Sequence, residues 1–194
     1  NAEFEILPRG LDPDARAAWE HDHPIHFNGI YSFVDAVESH RRSPLEYAQL
    51  ADRGLRRVYV GLESGDPHLL GFLGKPNTPH DVFELVNDLK AGGVAVGVIL
   101  LAGAGGKKYE DAHVYETARL INGMPLDQDD LIYFSEVVDY PGSTYTERAA
   151  VAGIQPLTVG EIEHQMVRIR SALNFTDPNR SPKVSFYDIR EFVY

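Results

Sequence analysis

An apolar, β-branched run that turns at once into a new helix constrains this chain most. The run at 56–60, Arg-Arg-Val-Tyr-Val, continues into Gly61-Leu62-Glu63-Ser64-Gly65 and then into Asp66-Pro67. Such a run is typical of a buried parallel strand. The carboxyl end of a parallel strand is where α/β barrels and open α/β sheets carry their binding groups. The sequence therefore predicts a binding loop that begins at Glu63.

The same arrangement recurs further along the chain. A run at 94–101 precedes the turn Gly103-Ala104-Gly105-Gly106, and a run at 130–138 precedes Pro141-Gly142. A short aromatic and β-branched run at 30–34, with Asp35 at its end, predicts one more strand. Runs of this kind that alternate with helical sequence indicate an α/β fold with a parallel sheet covered by helices. We predict strands at about 30–35, 57–63, 94–101 and 130–138.

Capping signals mark the predicted helices. Ser43, Thr78 and Thr158 each precede a helical pattern, and each has an acidic residue three positions later, as in a capping box. The segment 66–73 predicts a short helix with proline in its first turn, and 109–121 predicts a longer one. A closed eight-unit barrel typically needs about 250 residues. Because the chain has 194 residues, we expect an open or incomplete barrel.

The composition excludes several classes of protein. The chain has 29 Asp and Glu against 18 Lys and Arg, a formal net charge of -11. A nucleic-acid partner is therefore not expected, because binding would require cations that neutralise phosphates. No run reaches the roughly 18 apolar residues of a membrane span, and no signal peptide is visible, so we expect no membrane partner and a cytoplasmic location. Cysteine is absent, which excludes disulfides and thiolate metal sites within these residues.

Glu63 and Ser64 lie where a predicted strand gives way to a loop. A carboxylate held there can accept hydrogen bonds from a ribose diol or an ammonium group. The alternative is that Ser64 and Asp66 only cap the next turn and that Glu63 is solvated. Lys75 follows the next short helix, where its ammonium could pair with a ligand carboxylate or be solvated. The residues alone leave both interpretations open.

The glycine-rich turn at 103–108 suggests a phosphate loop, but its spacing fits neither known pattern. A P-loop has four residues between Gly and Gly-Lys and then Ser or Thr, whereas Lys108 follows Lys107 here. A dinucleotide fingerprint needs its third glycine where Lys108 stands. A direct phosphate contact at the start of the following helix is the alternative to a simple close-approach loop.

Histidines provide two weaker candidates. His21, His23 and His26 match no standard zinc spacing, and we interpret them as part of a surface loop. His113 and Glu116 lie three residues apart on one helical face. A metal-binding or proton-transfer role is the alternative there to the solvated face that we favour. We predict no metal site.

Taken together, these motifs resemble those of the radical S-adenosylmethionine enzymes, the group that includes the methylthiotransferases and the oxygen-independent coproporphyrinogen oxidases. The segment 54–65 is similar to the fourth-strand region of that family. The segment 69–76, the strand to Leu101 and the strand to Val138 follow in the family's order. The resemblance covers about residues 30–150. It implies a fragment of a partial (β/α)6 TIM-like barrel.

The resemblance also implies roles for individual residues. Glu63 and Ser64 match the group that binds the ribose or amino-acid end of S-adenosylmethionine. Lys75 matches a cation that faces the methionyl carboxylate. The strand at Gly97 to Leu101 and the backbone near Ser135 match the family's adenine-binding edges. We expect Gly103, in the turn after the first of these strands, and Ser135 to bind the cofactor.

The chain departs from the family in one large respect. The defining CxxxCxxC, whose three thiolates hold a four-iron, four-sulfur cluster, cannot occur in a chain without cysteine. Residues 1–2, Asn-Ala, resemble the remnant of a cleaved expression tag. We therefore expect residues 3–194 to be the C-terminal portion of a radical S-adenosylmethionine core domain. A naturally cluster-free relative is the alternative.

The resemblance implies a function for the parent protein. The parent would cleave S-adenosylmethionine reductively, with a partner such as flavodoxin or ferredoxin as reductant, and would abstract a substrate hydrogen with the 5′-deoxyadenosyl radical. The isolated chain would position cofactor and substrate, bind no cluster and be inactive. Two other interpretations stay open. One is a barrel lyase or hydrolase that uses Glu63 with Asp35 or Asp139 as acid and base, and the other is a nucleotide-binding or interaction module.

The predicted strand at 30–34 also bears on self-association. If it is a sheet edge, its unpaired backbone groups, flanked by Tyr31 and Phe33, would favour pairing with another chain. We therefore expect a two-fold homodimer through this edge, unless the segment before Ile30 covers it.

Overall fold

The computed structural model describes residues 14, 17, 21, 28–36, 41–138, 142–175 and 181–187. One sheet contains the strands β1 (Ile30–Val34), β2 (Leu55–Glu63), β3 (Ala95–Ala102), β4 (Leu131–Glu136) and β5 (Lys183–Tyr187). The helices are α1 (Pro44–Asp52), α2 (Pro67–Leu73), α3 (Pro79–Ala91), α4 (Gly106–Gly123), α5 (Thr144–Val151) and α6 (Val159–Ala172). Strands and helices alternate, and every strand pair is parallel. The predicted α/β class is confirmed.

The strands lie in the sheet in the order in which they occur along the chain, β1-β2-β3-β4-β5. A doubly wound sheet reverses direction at a switch point, and this sheet has no such point. Crossovers between parallel strands are right-handed, so crossovers that all advance in one direction place their helices on one face. Among the described residues, no strand pairs with the outer edge of β1. Self-association through this edge stays a prediction.

The strands differ from the predicted ones chiefly at the end of the chain. β5 is a fifth strand that was not among the four predicted, and α5 was not predicted either. The other strand ends lie within about two residues of the predicted ones. α4 begins at Gly106, inside the glycine-rich turn, and not at Tyr109.

Local capping interactions fix the starts of three helices. The side chain of Ser43 accepts the Glu46 N–H, and the Glu46 carboxylate accepts the Ser43 N–H in return. The same reciprocal pair occurs at Thr78 with Asp81 and at Thr158 with Glu161. These capping boxes satisfy N–H groups that would otherwise lack partners at the helix ends. The three predicted helix starts are confirmed.

Alternate residues of each strand point to two different surfaces. On β2, β3 and β4 the helix-covered surface is apolar and buried, and its residues include Val58, Val60, Leu62, Val96, Val98, Leu100, Ile132 and Phe134. The opposite surface, which we call the open face, carries Tyr31, Phe33, Tyr59, Ile99 and Tyr133. Tyr31 and Phe33 are 55% and 59% exposed. Because parallel sheets are normally covered on both faces, the open face is where a ligand or a further element is expected.

Asp130 ties the amino ends of three strands together. One carboxylate oxygen accepts the Val96 N–H at 2.7 Å, and the other lies 2.7 Å from Nζ of Lys90. Its carbonyl oxygen accepts the Lys183 N–H. Burial acts to lower the pKa of Lys90, but its hydrogen bonds and the charges of Asp130 and Asp127 outweigh burial and raise it. Asp130 is 0% exposed, so this network is a buried ion pair with every carboxylate oxygen in use.

Asp130→Ala should lower the free energy of unfolding by about 3–5 kcal/mol, because it leaves the buried Lys90 short of a counter-ion and strands the Val96 N–H. Urea denaturation measures the change. Asp129→Ala is the matched control, since it removes the same charge from the exposed neighbouring position, and should change stability by less than about 0.5 kcal/mol. Equal effects of the two variants would contradict the role given to Asp130.

Candidate functional site

β2 ends in a strained turn. Glu63, its last residue, has a φ of 59° and is the only non-glycine residue in the described ranges with a positive φ. The Ser64 N–H donates to the Leu62 carbonyl oxygen at 2.6 Å and closes the chain around Glu63. The register with β3 shifts between Gly61 and Glu63. A left-handed glutamate costs about 1–3 kcal/mol and persists only where its surroundings enforce it, often at functional sites.

The Glu63 carboxylate pairs with Lys75, with 2.7 Å between Oε1 and Nζ. The carboxylate folds back over Gly61, where an added Cβ would lie 2.9 Å from Oε1. Lys75 reaches the end of β2 because the short helix α2 lies between them. Asp66 caps the start of α2, and Gly74 ends it in the left-handed region. The side chains of Glu63 and Lys75 are 14% and 38% exposed. Neither residue is simply solvated, and the pair is accessible at the carboxyl edge of the open face.

Ser64 is 0% exposed, and its hydroxyl is engaged on two sides. Its Oγ accepts the Asp66 N–H at 3.0 Å and lies 2.7 Å from Nδ1 of His113 on α4. Beside it, Thr117 Oγ1 accepts the Gly65 N–H at 2.8 Å and lies 3.3 Å from the same Nδ1. These contacts fasten the end of β2 to α4. Ser64 stays a predicted cofactor residue, but its side chain is used inside the protein.

The expectation of a solvated face at His113 and Glu116 is wrong for His113. The buried stripe of α4 includes His113, Val114 and Thr117, so the imidazole is 0% exposed, whereas Glu116 lies beside the stripe and pairs with Arg119. Among the described residues, Nε2 of His113 has no hydrogen-bond partner. Burial lowers the pKa of His113 to about 4. The imidazole is therefore neutral near neutral pH.

The glycine-rich turn after β3 packs into the protein. The N–H groups from 103 to 107 all donate to internal acceptors, which are in order Gln165 Oε1, the Leu101 carbonyl, the Tyr145 hydroxyl, the Gly103 carbonyl and the Gln155 carbonyl. No N–H of these five residues is left for a phosphate, which contradicts the alternative of a direct phosphate contact through them. Gly103 stays a predicted cofactor residue, although both its N–H and its C=O are already bonded.

A row of aromatic side chains crosses the open face. Tyr59 stacks on Phe33 with ring centroids 5.0 Å apart and lies 5.9 Å from the Tyr133 ring. Gly97 makes this possible, since an added Cβ would lie 2.2 Å from the Tyr59 ring. Ser135 lies one step along β4 from this row and is 8% exposed. The aromatic row was not predicted, although the two aromatic residues at alternate positions of β1, Tyr31 and Phe33, were a readable signal for it.

The structure describes two of the remaining candidates. Asp35 is exposed just after β1, and His21 is exposed. Asp139, His23 and His26 lie outside the described residues. Within the described ranges no group of three or more His, Asp or Glu could hold a metal ion. None of the helices there has the length and apolar character that a membrane span requires.

Comparison with known proteins shows a likeness in fold. No protein-family model matches the chain, and no curated protein matches it significantly. Among solved structures, the chain is similar to the archaeal Methanocaldococcus infernus Elp3 with an N-terminal deletion (1-46), at 14% identity and a TM-score of 0.51. The likeness indicates a shared α/β fold with a parallel sheet. The likeness covers 81% of this chain but only 38% of the Elp3 chain, and at this identity it concerns the fold alone.

An iron–sulfur cluster does not fit the residues present. Such a cluster is held by cysteine thiolates, and the 194 residues contain no cysteine. No step of chemistry at this site can therefore be assigned to a cluster that this chain itself holds.

His113 should make stability depend on pH. Its pKa falls from 6.5 to about 4 on folding, so between these values the unfolded chain binds more protons. The free energy of unfolding should therefore rise by about 3 kcal/mol between pH 4 and pH 6.5 through this residue alone. Urea denaturation across this range should show a smaller rise for His113→Asn than for the unmodified chain.

The difference between the His113→Asn chain and the unmodified chain removes the pH dependence that other groups contribute. His164→Asn is the control, since His164 is exposed and its loss should leave the slope unchanged. Parallel curves for His113→Asn and the unmodified chain would show that His113 does not contribute.

Proposed function

We propose that this chain forms the cofactor- and substrate-binding face of a radical S-adenosylmethionine enzyme, with cluster thiolates supplied by residues outside these 194. The observation that carries the proposal is the open face of a singly wound parallel sheet, with the Glu63–Lys75 pair at its carboxyl edge. The likeness in fold to Elp3, a radical S-adenosylmethionine enzyme, supports it. The substrate is not part of the proposal, because enzymes that share a barrel differ in their loops.

The charges of the pair match the amino-acid end of the cofactor. That end carries one ammonium and one carboxylate. The ammonium would take the place of Lys75 beside the Glu63 carboxylate, and the ligand carboxylate would take the place of Glu63 beside the Lys75 ammonium. Every charge keeps an opposite charge, so the exchange leaves no unpaired ion in a partly buried position.

The chain's own part in the reaction would be binding and shielding. Bound S-adenosylmethionine, once reduced, supplies the radical that abstracts a substrate hydrogen. Glu63 and Lys75 orient its amino-acid end, and the aromatic row at Phe33, Tyr59 and Tyr133 provides apolar surface beside it. Without thiolates the chain alone would be inactive. The bonded amides of the glycine-rich turn speak against a nucleotide-binding module built on that turn.

Glu63→Gln and Lys75→Met should each weaken the binding of S-adenosylmethionine by about 1.5–3 kcal/mol, the range for hydrogen bonds to charged groups. Isothermal titration calorimetry on the chain measures the affinity, and L-methionine as a second ligand reports on the amino-acid end alone. Lys107→Met is the matched control, because Lys107 forms a similar exposed ion pair with Glu161 at 2.9 Å. Unchanged affinity in both site variants would overturn the assignment.

Anaerobic reconstitution with iron and sulfide should leave the chain colourless, because a cluster of this kind needs thiolate ligands and the chain has none. Iron and sulfide analysis after gel filtration checks the result. Stoichiometric iron and sulfide retained by the chain would show that its own residues hold a cluster, and the proposed division of roles would then be wrong.

A further inference from the structure

We propose that His113 is a positioning residue for Glu63: its neutral imidazole, buried beneath the turn after β2, fixes the backbone that sets the Glu63 carboxylate beside Lys75. The inference goes beyond the proposed function, on which it rests only for the identity of the ligand that Glu63 would bind. Three observations carry it, namely the hydrogen bonds at His113, the close packing of Gly65 and the left-handed backbone of Glu63.

The hydrogen bonds at His113 have a defined direction. Ser64 Oγ already accepts the Asp66 N–H, and Thr117 Oγ1 already accepts the Gly65 N–H. A hydroxyl has one proton to donate, and the neighbour that both hydroxyls share is Nδ1 of His113, at 2.7 Å and 3.3 Å. We assign Nδ1 as the acceptor, because this tautomer gives the hydroxyl protons a partner among the described residues. The ring proton then lies on Nε2, a buried atom with no hydrogen-bond partner among those residues.

Close packing transmits this anchor to Glu63. An added Cβ on Gly65 would lie 2.4 Å from the backbone of Glu116 and 2.5 Å from that of Thr117. Gly65 thus lies directly against α4, and Ser64 is bonded to the same helix through His113. The Ser64 N–H is also bonded to the carbonyl of Leu62. The backbone of Glu63, which lies between Leu62 and Ser64, is therefore constrained at both ends.

Lys75 cannot impose this conformation by itself. Its ammonium pairs with the Glu63 carboxylate, its side chain is 38% exposed, and it has the rotamer freedom of a long flexible chain. The buried contacts of Ser64 and Gly65 act on the backbone instead. The left-handed φ of Glu63, 59°, is therefore assigned to the anchor on α4, and the ion pair with Lys75 is its consequence.

Two variants of similar size separate positioning from simple core packing. His113→Asn can place its side-chain oxygen near the position of Nδ1 and so retains an acceptor for Ser64, whereas His113→Leu fills space without one. The readouts are the ¹³Cα and ¹³Cβ chemical shifts of Glu63, which report its left-handed backbone, and the ¹⁵N signal of the Lys75 ammonium, which reports the ion pair. Both are measured on the whole chain without ligand.

In His113→Leu, Glu63 should lose its left-handed shifts and the Lys75 signal should be lost to exchange, while the signals of the distant Asp130 network stay in place. His113→Asn should keep both features. A folded His113→Leu chain with unchanged Glu63 and Lys75 signals would overturn the proposal, as would equal losses in both variants.

Ser64→Ala keeps the imidazole and removes only the bridging hydroxyl, so it decides the question if His113→Leu fails to fold. It should reproduce the expected losses at Glu63 and Lys75, and unchanged signals would again overturn the proposal. If neither variant folds, the contact serves the fold as a whole and positioning is also overturned.

Affinity for S-adenosylmethionine is measured separately on the same variants. The chemical shifts of Glu63 and Lys75 could differ between His113→Asn and His113→Leu as expected while no variant binds S-adenosylmethionine. That result would retain the positioning role and reject the proposed function. Binding that is equal in all variants, with no split in the shifts, would retain the function and reject the positioning role.

Discussion

Every crossover in this sheet advances in the same direction, and the handedness of parallel crossovers then places the helices on one face. The core forms between those helices and the apolar side of the strands, from Val58 on β2 to Phe134 on β4. The other side of the sheet has no described helix to bury it. It is also the side over which the strand-end residues can project, so the open face and the candidate site result from the same winding.

The end of β2 shows how the fold stabilises an unfavourable local conformation. The left-handed Glu63 costs about 1–3 kcal/mol. Against it stand the hydrogen bonds of Ser64 and Gly65 to α4, each worth about 0.5–1.5 kcal/mol net, and the ion pair with Lys75. Most of these contacts are buried and involve α4, which follows β2 by more than forty positions in the chain. Tertiary structure therefore overrides local preference here, as is expected at functional sites.

Features with a local cause were predictable from the sequence. A capping box such as that of Ser43 and Glu46 depends on residues three positions apart, and the runs of β2, β3 and β4 are apolar because helices cover them. α5 was missed because it has no buried residue and thus little apolar periodicity. β5 was missed although its sequence, Lys-Val-Ser-Phe-Tyr, contains β-branched and aromatic residues.

The candidate site was only partly predictable, because its geometry depends on contacts between distant segments. Its position at the end of β2 follows from the strand and the turn that ends it. The ion pair depends on where α2 returns Lys75, and the burial of His113 depends on the packing of α4. Glutamate is not a residue that signals a left-handed turn, so the strain at Glu63 had no signature in the sequence.

The glycine-rich turn at 103–108 and the turn after β2 differ in whether a ligand could take over their internal interactions without leaving a group unpaired. At the glycine-rich turn, a phosphate would have to displace acceptors such as the buried Gln165, which would then lose its bond to Gly103. At the end of β2, a zwitterionic ligand would pair its positive group with Glu63 and its negative group with Lys75. Neither side chain would then be left without an opposite charge. An anion would bind Lys75 but leave the Glu63 carboxylate, 14% exposed, beside a like charge in a chain of net charge -11. The structure therefore favours a ligand that carries both charges over one that carries only phosphate.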